Sequence, residues 1–392
     1  MPNSVLDTST SQLSTIPHGN KVQHPLGGGS YVFKKNYVDY IISQVTKPEI
    51  KISIGAQPNG SPHFGTLTTF SLAFSLAQKL QEKKKVSVVL ELVDTAKDHD
   101  QDCFFDGIGY QKSLSYTGKI DQYLNYYQEL LEKLKSYSGV NFEIKYQTDF
   151  NSHEKIPEII GKLINKRERV GALLSPETKC LAFRAACPRP ECGLADKHGL
   201  KNSYDDKKIK FFCPKHGDYL IDFEKEPCKL EYNTPLRNLV KGIVYSEDNK
   251  NKNINHAWIR VTGSDYAGTY QEQILYKGAS ILETNANDLP FIVYCPLVTD
   301  WSGSKLSKSL YVAGDAYEYL CQQELDCFID YSKFEERFGS DGLEKLYQEV
   351  SLWLDESYRL FRNYSIHYFD ALFNKRVIHQ GPVISGRQAF EL

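Results

Sequence analysis

Apolar and polar residues alternate over EIKISIGA, residues 49–56, and this period of two predicts a β-strand with three isoleucines on one face. Residues 31–47 and 66–85 repeat apolar residues at helical spacing, and the second segment ends in the cationic run QEKKK, which suits the carboxyl end of a helix. Residues 85–94, KVSVVLELVD, form the nearly continuous apolar run of a buried parallel strand. This order predicts one right-handed βαβ unit with a glycine-rich turn.

A similar pattern returns later in the chain. AWIRVTGSD, residues 257–265, resembles a strand, residues 269–284 a helix, and PFIVYCPLV, residues 290–298, an apolar strand. The intervening region is predicted to contain helices at 119–139 and 155–174 and a strand at 141–149. We therefore predict an α/β fold with a Rossmann-like, doubly wound parallel sheet, split by an insertion and followed by a short helical C-terminal region.

Composition and charge narrow the class of protein. The chain has 392 residues, and 47 Lys or Arg against 49 Asp or Glu give a formal net charge of −2. Such a balance argues against tight non-specific binding to nucleic acid, although a local basic patch is compatible with it. The polar start of the sequence does not resemble a secretory signal, and no apolar run reaches membrane-spanning length. With nine cysteines, an odd number, we expect a reducing, cytoplasmic setting without a membrane partner.

The turn after the first predicted strand is rich in special residues. GAQPNGSPHFGT, residues 55–66, places His63, Gly65 and Thr66 where the next helix begins. The first N–H groups of a helix lack partners and carry partial positive charge, so a phosphate can bind there, with an imidazole and a hydroxyl as further donors. Gly65 would leave room for a flat ligand. A tight loop with one incidental histidine is the alternative interpretation.

A second candidate loop, SGSKLSKS at residues 302–309, follows the apolar strand of the second half. Lys305 and Lys308 stand among small hydroxyl residues and a glycine, as in a cationic loop that closes over a polyphosphate. A solvated Lys/Ser loop is the alternative. The two loops are more specific together, because each follows an apolar strand in one half of a split α/β pattern.

These loops resemble motifs of the class I aminoacyl-tRNA synthetases. PHFGT, with Thr66 in place of the last histidine, is similar to their HIGH motif, and KLSKS, residues 305–309, is similar to KMSKS. GSDYAG, residues 263–268, is similar to the segment that approaches the ribose in that family. The motifs cover a framework of roughly residues 50–310.

Within that superfamily, the class I lysyl-tRNA synthetase branch is the most similar. The similarity lies in GAQPNGSPHFG, in GSDY with Tyr266 in place of a histidine, in the cysteine-bearing insertion and, loosely, in LEYNTPLRNL at residues 230–239. ELVDTAKDHD does not reproduce the acidic run of that branch. The resemblance suggests lysine as the amino acid substrate.

The resemblance implies a HUP-type Rossmann-like sheet that forms an aminoacyl adenylate from ATP, with Mg²⁺ sharing the phosphate charge. It implies catalytic roles for His63, Thr66, Lys305 and Lys308 and ATP-binding roles for Pro62, Gly65, Gly263, Asp265 and Ser307. Little sequence follows KLSKS, so we expect no anticodon-binding domain. The acceptor is then a tRNA acceptor stem, a small molecule or a carrier protein. The alternatives are a HIGH-motif nucleotidyltransferase acting on a small molecule and a non-catalytic descendant that binds RNA or protein.

Two short cysteine motifs, CPRPEC and CPKHG, predict a metal site. Their four candidate ligands are Cys187, Cys192, Cys213 and His216. Two paired knuckles of nitrogen and sulfur ligands suit tetrahedral, structural Zn²⁺. Cys228 and His198 are reserve ligands, and four reduced side chains in a loop are the alternative interpretation.

Further polar and aromatic residues are candidates for an amino-acid pocket. They are Gln57, Asp94, Tyr232, Trp258 and Tyr266. Asp94 follows the second strand, where it could hold an amine or a magnesium ion or could cap the next turn. The aromatic residues could line the pocket or simply pack in a core.

These patterns divide the chain into five predicted regions. They are a flexible leader at 1–30, the first half of a nucleotide-binding domain at 31–115, a connective insertion at 116–257 with zinc knuckles at 187–216, the second half at 258–312, and a helical C-terminal region at 313–392.

Overall fold

The computed structural model describes residues 37–98, 102–300, 302–306 and 317–374. Its strands are β1 (Glu49–Ala56), β2 (Lys85–Leu92), β3 (Cys103–Phe105), β4 (Ile108–Gln111), β5 (Phe142–Tyr146), β6 (Phe183–Ala185), β7 (Ala195–Asp196), β8 (Ser203–Tyr204), β9 (Lys208–Cys213), β10 (Gly217–Asp222), β11 (Leu230–Tyr232), β12 (His256–Gly263), β13 (Phe291–Cys295), β14 (Val298–Thr299) and β15 (Tyr364–Ser365).

The α-helices of the described residues are α1 (Tyr37–Gln44), α2 (Phe64–Leu80), α3 (Leu114–Thr117), α4 (Asp121–Ser138), α5 (Gln147–Phe150), α6 (Ile156–Asn165), α7 (Arg167–Leu174), α8 (Thr234–Lys250), α9 (Ala279–Ile281), α10 (Glu318–Gln322), α11 (Tyr331–Asp355) and α12 (Ile366–Phe373). A π-helix, Thr269–Gly278, runs directly into α9. Short 3₁₀ turns lie at Pro227–Lys229, Ser264–Tyr266, Ala286–Asp288, Asp326–Phe328 and Ser357–Phe361.

Five parallel strands form the central sheet in the order β13–β12–β1–β2–β5. β1 pairs with β2 on one side and with β12, about 200 residues later in the chain, on the other, with Ser53 opposite Arg260. The strand order therefore reverses between β1 and β12. In open α/β sheets ligands bind at this switch point, beyond the carboxyl ends of the strands. The parallel sheet confirms the predicted α/β class and joins the two halves of the pattern.

Helices cover both faces of this sheet. The isoleucines of β1 pack in one core with apolar residues of α2, α4 and α11, whereas Val89 of β2 and Ile292 of β13 pack in a second core with those of α6 and α8. Both faces of a parallel sheet are covered in this way in doubly wound folds. The predicted helix at 155–174 is divided in the structure, as α6 and α7.

The part of the chain between β2 and β12 contains small antiparallel sheets. They are β3–β4–β7, β8–β9–β10 and the pair β6–β11. Together with α8, they lie between β2 and β12 along the chain, as does β5 of the central sheet. The boundaries of the five predicted regions remain predictions.

Some predicted features lie outside the described residues. These are the leader at 1–30, Ser307 and Lys308 of the KLSKS loop, and the end of the chain after residue 374. Across the described ranges, no helix combines the length and apolar character needed to cross a membrane.

Candidate functional site

Two adjoining cavities lie at the switch point of the central sheet. The larger has a volume of about 370 Å³ and extends toward α8, and the smaller, about 140 Å³, extends toward β14. Both are lined by Gly55, His63, Thr66, Thr262, Tyr266 and Lys305. Side chains from both halves of the sheet thus share the border between the cavities.

His63 caps the amino end of α2. It has extended backbone angles, and its Nδ1 accepts a hydrogen bond from the Gly65 N–H at 3.0 Å. A neutral imidazole with Nδ1 as the acceptor carries its proton on Nε2, so the ring can act as a donor there. The turn therefore begins a helix at the predicted place, and anion binding there stays a prediction.

Gly65 makes room for the His63 ring. A Cβ atom at Gly65 would lie 2.7 Å from His63 Cε1, closer than real Cβ contacts come. We expected this glycine to leave room for a ligand, and it does line the smaller cavity. The space beside its Cα, however, is filled by the histidine.

The residue between them, Phe64, anchors the turn. Its ring lies 4.7 Å from the Phe369 ring and 4.9 Å from the Phe328 ring, measured between centroids. Ser61 is attached to the same region, because its hydroxyl accepts a hydrogen bond from the Tyr331 N–H at 3.0 Å. The C-terminal helices therefore fix the position of the histidine turn.

Lys305 and Asp265 form an ion pair at the border of the cavities. Lys305 reaches it because Thr299 bridges to Lys305 and the Leu306 N–H donates to the Val298 carbonyl at 3.0 Å. Gly263 allows the Asp265 carboxylate to lie close to the backbone, since a Cβ at Gly263 would be 2.5 Å from Asp265 Oδ1. The structure thus brings together His63, Asp265 and Lys305, which the sequence predicted for one site.

A wall of buried cations closes the larger cavity on the α8 side. It consists of Arg237 and Lys241 on α8 and Arg260 on β12. Lys241 Nζ donates to Glu91 Oε2 at 2.7 Å, and Arg260 Nη1 lies 3.3 Å from the same oxygen. Arg237 donates to the Thr234 hydroxyl at 3.2 Å.

Burial and charge shift the pKa values of this wall. Burial lowers the pKa of Lys241 to about 8, against the opposing effect of Glu91, and lowers that of Arg237 to about 10. Burial raises the pKa of Glu91, but the charges of Lys241 and Arg260 and the hydrogen bonds from Lys241 and Tyr245 outweigh it, so the net shift is downward. Glu91 is therefore ionised at neutral pH, and Arg237 remains a cation.

Gly55, at the end of β1, lets Arg260 lie against the backbone. A Cβ at this position would be 2.7 Å from Arg260 Nη2. Arg260 Nη1 then reaches the Ser53 hydroxyl at 2.6 Å. Three glycines of the site, Gly55, Gly65 and Gly263, each make room for one polar side chain.

The other predicted site residues divide into two groups. Gln57 lines the larger cavity and Tyr266 lines both. Asp94 instead accepts hydrogen bonds from the Thr148 hydroxyl at 2.7 Å and its N–H at 3.2 Å, which ties the end of β2 to α5. Pro62 belongs to the histidine turn but does not line either cavity.

Tyr232 and Trp258 do not line these cavities either. Tyr232 is buried in the β6–β11 pair, outside the central sheet. Trp258 lies near the amino end of β12, where it stacks on Tyr245 at 4.4 Å and donates to Asp248 at 2.8 Å. The amino end of a parallel strand lies at the opposite edge of the sheet from the site.

Sequence reasoning missed the functional candidates on the α8 wall. These are Arg237, Asn238, Lys241 and Arg260. A signal was present, because Arg237 and Lys241 stand four apart in a segment that also contains Leu236, Leu239, Val240 and Ile243. Two like charges in a segment rich in apolar residues indicate a buried position, where they require a partner or a ligand.

The predicted metal ligands also meet. Cys187, Cys192, Cys213 and His216 place one ligand atom each within 4.8 Å of one another. Cys192 Sγ and Cys213 Sγ are 3.6 Å apart, and Cys187 Sγ lies 3.5 Å from His216 Nδ1. Tetrahedral Zn–S bonds of about 2.3 Å put two sulfurs about 3.8 Å apart. The group can therefore hold a metal ion, and Cys228, which is exposed, is not part of it.

No family model and no curated protein matches this sequence. Among solved structures, one described as a "putative arginyl t-RNA synthetase" from Campylobacter jejuni is similar over 91% of this chain and 94% of that chain. The identity is 11% and the TM-score 0.33.

Proposed function

We propose that the protein activates an amino acid with ATP, as a ligase of the class I aminoacyl-tRNA synthetase type. One observation carries the proposal: His63, Thr66 and Lys305 line the border between two cavities at the switch point of the sheet. A helix N-terminus, an imidazole and an ammonium group there suit a triphosphate.

The two cavities divide the substrates. The smaller one, which Gly65 and Asp265 line, would take the adenosine, with the Asp265 carboxylate accepting from a ribose hydroxyl. The triphosphate would lie at the shared border. The larger cavity would take the amino acid. Its carboxylate oxygen attacks the α-phosphorus, the bond to pyrophosphate breaks, and pyrophosphate leaves with the bonding electrons.

The chain's own residues act by position and charge. The Nε2–H of His63 and the Lys305 ammonium stabilise negative charge that grows on the phosphates, and the Thr66 hydroxyl donates a further hydrogen bond. Lys308 and Ser307 of the same loop stay predictions for this role. Mg²⁺ would neutralise part of the triphosphate charge.

Nucleotide binding would exchange one ion pair for two contacts. Lys305 and Asp265 pair with each other in the structure. Lys305 would then pair with a phosphate, and the Asp265 carboxylate would accept a hydrogen bond from a ribose hydroxyl. The pair is partly exposed, so opening it costs little.

For the Cys/His group we propose a structural Zn²⁺. Burial raises the pKa of the Cys187 thiol to about 12, so without a cation this thiol keeps its proton. A zinc ion would replace the proton and hold the ends of β9 and the CPRPEC loop together. Four protein ligands leave no open position for a substrate.

Lysine and the acceptor remain predictions. No Asp or Glu lies among the residues that line the larger cavity in the described chain, so a lysine ammonium group would find no acidic partner there. The acceptor remains a tRNA acceptor stem, a small molecule or a carrier protein.

The test is ATP–pyrophosphate exchange by the full chain with each common amino acid, with and without total tRNA. We expect exchange with one amino acid class, and Lys305→Ala should lower it by about 10²–10³-fold, the usual cost of one lost charge-stabilising donor. Lys85→Ala is the matched control, because Lys85 is an exposed lysine at the amino end of β2, the opposite edge of the sheet.

Other outcomes identify the alternatives. A nucleotide conjugate formed without any amino acid would support the nucleotidyltransferase. Absence of both reactions, with ATP or RNA binding retained, would support a non-catalytic descendant. Undiminished exchange in Lys305→Ala would contradict the assignment of the phosphate site.

A further inference from the structure

We propose that the amino acid substrate is dicarboxylic, of the glutamate or aspartate class, and that Arg237 binds its side-chain carboxylate. The place of the reacting carboxylate rests on the proposed function. The charge of the ligand is inferred from the cavity itself.

The larger cavity is lined by an excess of cations. Arg237, Lys241, Arg260 and Lys305 line it, and none of its lining residues within the described chain is acidic. Glu91 lies behind the wall, where it contacts Lys241 and Arg260. One buried carboxylate against three buried cations leaves the α8 side of the cavity with a net positive charge.

Glu91 is already saturated with donors. Besides the two cations, it accepts hydrogen bonds from the Tyr245 hydroxyl and from the Ser53 hydroxyl, the latter at 3.2 Å. Its negative charge is therefore shared by Lys241 and Arg260. Arg237 is the cation of the wall that Glu91 does not reach.

Arg237 is buried without an acidic partner. It is 7% exposed, and across the described residues no carboxylate lies within ion-pair distance of it. Its side-chain hydrogen bond within the described residues goes to the Thr234 hydroxyl, although a guanidinium carries five N–H donors. A buried, unpaired charge is costly, and a ligand carboxylate would remove that cost. The planar fork suits a carboxylate in two-point contact.

The ATP phosphates do not account for this wall. Arg237, Lys241 and Arg260 line the larger cavity alone, whereas His63, Thr66 and Lys305 also line the smaller one. The triphosphate belongs at the shared border, and the reacting carboxylate must meet it there. The substrate side chain then points away from the border, toward α8.

The charge of the wall sets the selectivity. A lysine or arginine side chain would bring a fourth positive charge to three cations. A glutamine amide fits the same space but leaves Arg237 without a counter-charge. We therefore expect exclusion of basic amino acids and at least about 100-fold preference for the acid over its amide, because rejecting an isostere is strongest where a buried group is left unpaired.

The experiment measures binding and exchange separately. Calorimetry with a non-hydrolysable ATP analogue compares L-glutamate, L-aspartate, L-glutamine and L-lysine, and pyrophosphate exchange compares the same amino acids with and without total tRNA. The variant is Arg237→Gln. Arg169→Gln, at an exposed position on α7, is the matched control.

We expect Arg237→Gln to lower kcat/KM for the preferred dicarboxylic amino acid about 100-fold, largely through KM, and to raise the glutamine-to-glutamate ratio. Its melting temperature without ligand should stay equal or rise, since a buried unpaired charge is removed. A purely structural arginine would instead lower it. Arg237→Lys keeps the positive charge but lacks the planar guanidinium. Its kcat/KM should therefore fall between those of the parent and of Arg237→Gln.

The results separate the two proposals. Exchange with a neutral or basic amino acid, undisturbed by Arg237→Gln, overturns the dicarboxylic substrate and leaves amino acid activation standing. Arg237-dependent binding of glutamate or aspartate without any exchange supports the dicarboxylic ligand and overturns amino acid activation. Absence of both binding and exchange overturns both.

Discussion

The sheet-edge cavity and the Cys/His group both collect reactive side chains, but in opposite ways. The group draws its four ligands from two short loops, and their atoms face one another within 4.8 Å. The cavity draws its side chains from β1, α2, α8, β12 and the loop after β14, and they face an open volume of about 370 Å³.

The two arrangements suit different uses: the Cys/His group suits a structural metal ion, and the cavity suits a bound molecule. Ligands that converge on one point leave no room for a substrate, so they suit an ion that stabilises the fold. Donors spread around a volume leave room for a molecule and keep charges unpaired until it binds. Changes in the group should therefore affect folding, and changes in the cavity should affect activity.

The largest effect is expected from Cys213→Ser. Losing one of four ligands should release the metal and unfold the β9–β10 ribbon, because structural zinc contributes on the order of 10 kcal/mol in small domains. Metal content by atomic absorption and limited proteolysis between residues 187 and 222 would show it. Cys228→Ser is the control, as an exposed cysteine outside the group. A stoichiometric metal in Cys213→Ser would contradict the ligand assignment.

Lys305→Ala tests the other side of the comparison. It should reduce exchange by about 10²–10³-fold and leave thermal unfolding within about 0.5 kcal/mol of the parent, as for a partly exposed residue. The decisive experiment measures the exchange rate and the free energy of unfolding on one preparation. A fall in stability that matched the fall in rate would mean that this edge of the cavity is structural as well.

Gly55→Ala should weaken both the stability of the fold and substrate binding, because Gly55 lies against the side chain of Arg260, which is buried and also lines the cavity. The added Cβ would push on Arg260 Nη2 and disturb its contacts with Ser53 and Glu91. Overpacking of this kind costs about 1–3 kcal/mol, and we expect weaker substrate binding as well. Chemical unfolding and calorimetry measure the two effects. Gly161→Ala, where a Cβ meets no atom within 4 Å, is the control.

The smallest effect is expected from Tyr232→Phe. The Tyr232 hydroxyl is buried without a hydrogen-bond partner in the described structure, and the residue does not line the cavity. Its removal should change the free energy of unfolding by less than about 0.5 kcal/mol in the unfavourable direction. Exchange should remain equal to that of the parent. A clear loss of exchange would contradict this expectation and support the prediction from the sequence that Tyr232 belongs to the amino-acid pocket.

Local sequence patterns predicted the regular elements well. The period-two run at residues 49–56 and the apolar run at residues 85–94 correspond closely to β1 and β2, and the two knuckles predicted the Cys/His group. Each depends on residues close together in the chain. Tyr232 shows the limit, because its sequence neighbourhood did not reveal that its strand pairs with β6, outside the central sheet.

The sequence by itself predicted the α/β class, the start of a helix at the histidine turn and the four residues that meet in the Cys/His group. Their physical causes are side-chain periodicity, helix capping and knuckle spacing, which act over a few residues. Only the tertiary structure decided that α8 meets β1 and β12 and that Lys241 pairs with Glu91, 150 residues away. Whether a cation is paired or left for a ligand depends on such distant contacts. The positive charge of the cavity, and with it the proposed substrate, therefore followed from the folded chain.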